Sequence, residues 1–310
     1  MSSDSYGGVP RRASHVRVFA PAKINLFLHV GERRADGYHA LESLIAFAEV
    51  SDRISIETAS ELSFSTTGPF SRVLPGAEDN LVLKAARALQ RRTGTRKGAA
   101  ITLEKNLPVA AGIGGGSADA AAALRGLNLL WELQTPVEEL VALAAELGSD
   151  VPVCLLSRPC WVEGRGEILT ELPPLPRLST VLVNPGIALP TAQVFDALNA
   201  RTGTGAMHPP KTLDNLWDVI AYLGDAGNDL EAAACSIAPV IQDVLNAFDR
   251  EPGCALTQMS GSGSTCFAFF HEDEFARGAA QRIAQDRPDW WVALTRIAGF
   301  EAGAAEWARD

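Results

Sequence analysis

The stretch Leu107-Pro108-Val109-Ala110-Ala111-Gly112-Ile113-Gly114-Gly115-Gly116-Ser117-Ala118-Asp119 runs on into Ala120-Ala121-Ala122-Ala123-Leu124 and sets four glycines within five positions ahead of an Ala/Leu-rich segment. Glycine reaches positive φ and lets a ligand approach the backbone without meeting a Cβ, while alanine and leucine favour helix. The pattern is that of a loop feeding a helix N-terminus. Unpaired N–H groups and the positive end of the helix dipole make such a terminus attractive to phosphate oxygens. A plain glycine turn, with Ser117 capping the helix and Asp119 complementing the dipole, is the other reading of the same residues.

The two common nucleotide loops do not fit. A Walker A loop ends in Gly-Lys-Ser/Thr, and here Gly116 is followed by Ser117 and Ala118. A dinucleotide fingerprint counted from Gly112 meets Ser117 where its third glycine belongs, and counted from Gly114 it meets Asp119.

With 310 residues and 47% hydrophobic content the chain is long enough for two packed domains. Its 27 basic against 37 acidic residues give a net charge of −10, which opposes non-specific binding to nucleic acid or anionic membrane. An anionic ligand must therefore be held by local groups. The five cysteines show no C-x-x-C pair or zinc-ligand spacing and read as reduced thiols of a cytoplasmic protein. Residues 1–15 are polar and lack the apolar core of a signal peptide, so a flexible tail is expected there. No uncharged apolar stretch reaches the roughly 18 residues needed to span a membrane.

Residues 16–30 read as a strand kinked at Pro21. Period-2 alternation sets Ile24, Leu26, Leu28 and Val30 on a core face and Lys23, Asn25, Phe27 and His29 on the other. Asp36-Gly37 marks a turn before Tyr38-His39. A strand at 48–57, a helix at 80–92 capped within Glu78-Asp79-Asn80, and a strand at 100–103 lead to the glycine loop. A helix at 136–147 ends at Gly148, and Asp150 then has the position of a helix cap ahead of Pro152. Residues 161–168 read as a hairpin. Pro173-Pro174-Leu175-Pro176 is the best linker, which divides the chain into domains at 16–172 and 173–310. Asn228-Asp229-Leu230-Glu231 reads as the cap of a helix running to Phe248, and Ser260-Gly261-Ser262-Gly263-Ser264-Thr265 as a turn before the strand 266–270.

The loop Pro108 to Ala118 resembles the Pro-x-x-x-Gly-Ile/Leu-Gly-x-Gly-Ser-Ser/Ala signature of the GHMP kinases, small-molecule kinases whose phosphate loop is of neither common type. Pro21-Ala22-Lys23-Ile24-Asn25-Leu26 and Ala35-Asp36-Gly37-Tyr38-His39-Ala40-Leu41 are similar to the amino-terminal signature of one branch, which acts on a cytidyl-diphospho sugar alcohol of the non-mevalonate isoprenoid pathway. Gly148-Ser149-Asp150-Val151-Pro152 matches the segment that carries the family's catalytic aspartate, and the turn Ser260 to Thr265 resembles the family's third conserved segment, a glycine-rich loop facing the active site.

The resemblance implies an α+β chain, with an ATP-binding domain of the ribosomal S5 domain-2 type followed by a ferredoxin-like domain. It implies ATP as co-substrate with Mg²⁺, although the sequence offers no carboxylate pair as metal ligands. Lys23 and Asp150 would be catalytic. Pro108, Val109, Ala110, Ala111, Gly112, Ile113, Gly114, Gly115, Gly116, Ser117 and Ala118 would hold phosphates, with Asn80 and Lys105 near the adenine. Asn25, Tyr38, His39, Thr191 and Phe195 would bind the cytidyl diphosphate substrate. Its partners would be small molecules rather than nucleic acid or membrane. The alternatives are another GHMP kinase, of homoserine or mevalonate type, or a non-catalytic S5-like RNA-binding module. The Asp36-Gly37-Tyr38-His39 segment opposes the first; the negative charge and the joint presence of Lys23 and Asp150 oppose the second.

Overall fold

The computed structural model describes residues 14–35, 37, 39–74, 76–198, 207–224, 226–297 and 306–308, and of 77 and 306–308 the backbone alone. The expected tail at 1–15 lies almost wholly outside the described residues, and so does Tyr38.

Two long antiparallel strands, β1 (His15–Arg33) and β2 (His39–Ala59), form the spine. The register of β1 slips between Pro21 and Lys23, because proline supplies no N–H to the ladder, and again between Asn25 and Phe27. β3 (Leu62–Thr67) follows, then α1 (Leu81–Thr93), β4 (Gly98–Glu104), α2 (Gly115–Leu130), α3 (Val137–Leu147), α4 (Val151–Leu156), β5 (Cys160–Gly164) and β6 (Ile168–Glu171). The second half comprises β7 (Leu178–Asn184), α5 (Thr191–Asp196), α6 (Leu216–Leu223), α7 (Glu231–Ile237), α8 (Val240–Asp249), β8 (Cys254–Met259), β9 (Cys266–Phe270), α9 (Asp273–Asp286), β10 (Trp291–Ile297) and β11 (Glu306–Ala308).

β2 joins the halves. Along the edge opposite β1 it pairs in turn with β5 (Leu41 to Ile45), with β10 through Ala48, and with β4 (Arg53 to Ala59). The second half continues as β10-β7-β9-β8, and β3 and β6 extend the first through β4 and β5. This is an α+β architecture.

Three apolar clusters fill the layers. One packs α1 to α4 against the first sheet, with Ala118 and Ala120 to Ala123 buried so that α2 lies close to β1 and β2. A second draws Ile24, Leu26 and Phe27 together with Leu182, Phe267 and Phe269 from the other half. The third lies under α7, α8 and α9.

Four expectations are revised. β1 has no polar outer face: residues 21–30 are buried throughout, because the second half covers the strand and the slip at Asn25/Phe27 turns Phe27 into the core. α2 starts at Gly115 with Gly114 as its cap residue, three positions before the serine expected to cap it. The helix expected from 228 to 248 is two helices, parted at Ala238-Pro239 where proline cannot extend the hydrogen-bond ladder. Leu175 in the proline stretch is packed into the cluster shared by both halves rather than lying in an open linker.

Candidate active site

The slip at Pro21 brings β1 against the glycine loop, where the Lys23 backbone N–H donates to Ile113 O at 2.9 Å. The Lys23 ammonium donates to Asn25 Oδ1 at 2.9 Å and stands 3.3 Å from Asp150 Oδ2. Asn25 is itself held, its Nδ2 donating to Ser43 Oγ at 2.8 Å while that hydroxyl donates to Phe27 O at 2.5 Å. With its proton committed to Phe27, Ser43 receives Asn25 only through Nδ2, which turns Oδ1 toward the lysine. The sequence carries no signal for Ser43.

Asp150 precedes α4 but makes no side-chain capping bond to it, so the helix-cap reading fails and the carboxylate faces Lys23. The far end of α4 is tied to α2. Arg125 of α2 donates to Cys154 O and Leu155 O at 2.9 and 3.1 Å, satisfying carbonyls that a helix end leaves open, and to Phe19 O at 3.0 Å. Burial lowers the Arg125 pKa to about 10, which still leaves the guanidinium charged at neutral pH.

Within the loop, Pro108, Ala111, Ile113 and Ala118 face inward; Ala110 and Gly116 are exposed, and Val109, Gly112, Gly114, Gly115 and Ser117 are part-buried. Gly114 has φ +62°, and a Cβ there would lie 3.1 Å from the Cβ and Cε of Lys23. Lys23 thus lies along the backbone of the helix cap. Asn80 caps α1 by accepting from Val82 N at 2.9 Å, and the next residue, Leu81, borders Gly116.

Lys105 is placed otherwise than the resemblance implied. Its ammonium is 1% exposed and donates to Asp52 Oδ2 and Asp119 Oδ2 at 2.5 and 2.7 Å, while its backbone bonds Thr67 O and Phe70 N. Both side chain and backbone are committed inside the protein, below the loop and not against a base. Asp52 Oδ1 also accepts from Asn106 N and Leu107 N at 2.5 and 2.8 Å, so the triad pins the entrance of the loop to the second turn of α2. Burial pulls the Lys105 pKa down, but the two carboxylates outweigh it and hold it above the ordinary value. Burial pushes Asp119 up to about 8, with Lys105 opposing and Asp52 adding.

On the other side of Lys23 the two halves meet. The rings of His39 on β2 and Phe195 on α5 lie 5.7 Å apart, tilted by 32°, and His39 Nδ1 pairs with Gly31 O at 3.0 Å. Thr191 Oγ1 pairs with Ser262 Oγ at 2.9 Å. The loop 260–265, a turn whose sequence also resembles a glycine-rich segment facing the active site, reaches the site as Asn25 N donates to Ser260 Oγ at 3.1 Å. Lys23, Asn25, Asp150 and Gly114 are therefore brought together, with Thr191, His39 and Phe195 at the junction of the halves. Among the described residues no group of three or more His, Cys, Asp or Glu gathers as for a resident metal ion. None of their helices is long and apolar enough to cross a membrane.

Comparison with known proteins agrees with this geometry. The model of the GHMP kinases N terminal domain matches residues 80–158, and that of the GHMP kinases C terminal matches residues 215–287. The 4-diphosphocytidyl-2-C-methyl-D-erythritol kinase of Parvibaculum lavamentivorans is 49% identical over 285 residues, covering 90% of this chain and 97% of that protein. Its namesake from Cereibacter sphaeroides is 50% identical over 288 residues, covering 91% and 99%. A crystal structure of 4-(cytidine 5'-diphospho)-2C-methyl-D-erythritol kinase superposes with a TM-score of 0.76 at 32% identity over 91% of this chain and 99% of that one. A homoserine kinase from Cytophaga hutchinsonii, at 19% identity and a TM-score of 0.72 over 96% and 99%, shares the fold. With about half of the aligned residues identical to such relatives over nearly their full length, the chain belongs to the GHMP kinases, in the family of 4-diphosphocytidyl-2-C-methyl-D-erythritol kinases.

Proposed function

We propose that this kinase transfers the γ-phosphoryl group of ATP to the 2-hydroxyl of 4-diphosphocytidyl-2-C-methyl-D-erythritol, as a cytoplasmic enzyme of non-mevalonate isoprenoid synthesis whose partners are small molecules. The observation that carries the reading is the Lys23–Asp150 pair, 3.3 Å apart, beside the Gly114 cap of the phosphate helix. Phosphoryl transfer asks a protein mainly for positioning and charge stabilisation. The loop 108–118 and the first turn of α2 hold the ATP phosphates, with Asn80 at the edge of the nucleotide site.

Lys23 offsets charge on the moving phosphoryl group. Asp150 takes the proton of the acceptor hydroxyl as its oxygen bonds to the γ-phosphorus, the bond to the β,γ-bridging oxygen breaks and ADP leaves. Among the described residues no carboxylate cluster gathers for a resident metal, so a Mg²⁺ ion would arrive with the nucleotide and keep water and phosphate oxygens as its ligands. The chemistry it would supply there is neutralisation of phosphate charge. Phe195 and Tyr38 offer aromatic faces to the cytosine, His39 reads its edge, and Asn25 and Thr191 contact the remainder of the substrate.

The test is ADP release measured with the cytidyl substrate beside homoserine and mevalonate. Turnover with the cytidyl substrate alone is expected. Turnover with homoserine or mevalonate in its place would move the chain to another branch, and tight RNA binding without any turnover would favour a non-catalytic module.

A further inference from the structure

The segment Gly227-Asn228-Asp229-Leu230-Glu231 does more than begin a helix. Toward β1, Leu28 N donates to Gly227 O at 3.1 Å, Asp229 N to Leu28 O at 2.9 Å, and Val30 N to Asp229 Oδ2 at 2.8 Å. In the other direction, Asn228 Nδ2 donates to both Met259 O and Gly261 O at 2.8 Å, and Met259 N donates to Glu231 Oε2 at 3.0 Å. Asn228 Oδ1 accepts from Leu230 N at 2.9 Å, so both amide hydrogens and the carbonyl oxygen are committed and the amide has one orientation.

The loop so gripped is seated on the reaction centre. Ser260 Oγ accepts from Asn25 N and donates to Gly112 O at 3.2 Å, and Thr265 N donates to Ala111 O at 3.1 Å. A Cβ on Gly112 would lie 2.4 Å from Ser260 O, so the two loops touch backbone to backbone. Asn25, in turn, holds the Lys23 ammonium.

We infer that Asn228 is a positioning residue for phosphoryl transfer: by gripping Met259 O and Gly261 O it seats the 260–265 loop on Gly112 and Asn25, and so fixes the phosphate loop relative to Lys23. The inference rests on the kinase reading above. A helix cap needs only the acceptor oxygen, which aspartate and serine also supply. A grip on two carbonyls needs an NH₂ group. Aspartate would set a negative charge against both carbonyl oxygens, and serine is too short to span them.

Asn228→Asp therefore keeps the cap and removes the grip, with Asn228→Ser as the uncharged second variant should the first fail to fold. Val244→Ala, which cuts into the buried cluster under α8 and removes none of the hydrogen bonds of the loop, serves as a control for stability alone. Full-length proteins are compared by amide hydrogen exchange, steady-state kinetics and thermal midpoint. In the Asn228 variants the amides of Asn25 and Thr265 should exchange about tenfold faster, because their acceptors lie across the loop contact. Their kcat should fall about tenfold or more, with KM for ATP within about threefold. Val244→Ala should lower the midpoint yet keep kcat and both protected amides. Exchange and kcat within about twofold of the parent, faster exchange without a fall in kcat, or an equal kcat loss in Val244→Ala would each overturn the inference. The exchange measurement needs no substrate. A parent enzyme inactive on the cytidyl acceptor would thus sink the substrate assignment and leave the grip to be decided by the amides.

Discussion

Lys23 Nζ and Asp150 Oδ2 meet at 3.3 Å across a steep difference in burial, the lysine side chain 6% exposed and the aspartate 42%. The lysine is fixed by Asn25 while the carboxylate faces solvent, where an acceptor hydroxyl can reach it. Asp150→Asn keeps the size of the side chain and makes no change to α4, since the carboxylate does not cap it. Its kcat should fall about 10²-fold or more, the scale of general-base assistance, with ATP affinity retained. Near-normal turnover would assign proton removal to the phosphate itself.

Ser43 is the far end of the same chain of contacts. Ser43→Ala deletes the acceptor of Asn25 Nδ2 and the donor to Phe27 O in a fully buried place. Leaving those groups unmatched should lower stability by about 1–3 kcal/mol. It should also lower kcat by about tenfold, because the amide no longer holds its oxygen on Lys23. Denaturant melts and kinetics read the two effects separately; a stability loss with kcat intact would show that Asn25 keeps its orientation unaided.

Gly114→Ala places a methyl group 3.1 Å from the Lys23 side chain, at a φ of +62° that alanine tolerates poorly. Both the helix terminus and the lysine must shift. KM for ATP should rise and kcat fall together, and equilibrium titration of the variant with ATP checks the first. An unchanged affinity would mean that the loop is only a turn.

Below the loop, Asp119 gives a pH signature. Its carboxyl titrates near 3.8 when unfolded and is raised to about 8 in the folded protein, so between these values the native state binds more protons. Stability contributed by this group accordingly falls as pH rises from about 4 to about 8. Asp119→Asn removes the titration and keeps an oxygen for Lys105. The thermal midpoint of the parent should drop more between pH 5 and pH 8 than that of the variant, by up to the equivalent of about 1.4 kcal/mol per pH unit. Parallel curves would rule out a protonated Asp119.

The residues that announce themselves in sequence are those whose chemistry demands a type in a fixed local pattern. The glycine loop with its Ala-rich helix, Lys23 after Pro21, and Asp150 before Pro152 are of that kind, and the structure brings them together. The polar supports do not announce themselves. Ser43, Asp52 and Arg125 act across 18, 53 and 106 positions of sequence, on Asn25, Lys105 and Phe19 O, and no local pattern encodes such a pairing. The two-sided burial of β1 was hidden for a related reason: alternation describes one strand, while the covering layer comes from the other half of the chain. Lys105 misled because a lysine beside a nucleotide loop has the same appearance whether it faces ligand or two buried carboxylates.

The last expectation concerns the choice of acceptor. Cytosine is planar, with donors and acceptors on its rim, so a selective site needs a ring face to stack on and polar groups in the ring plane. Phe195 and His39 approach each other from opposite halves with centroids 5.7 Å apart, and His39 is steadied through Nδ1 on Gly31 O, which leaves Nε2 for a ligand edge. Phe195→Ala removes a face and leaves the phosphate loop untouched. It should weaken the cytidyl substrate by about 1–3 kcal/mol, the scale of base–aromatic stacking, with ATP affinity unchanged. Calorimetric titration of both ligands into the folded variant distinguishes the cases. Equal losses for the two ligands, or none for either, would remove Phe195 from the cytosine site and reopen the choice of acceptor among the GHMP kinases.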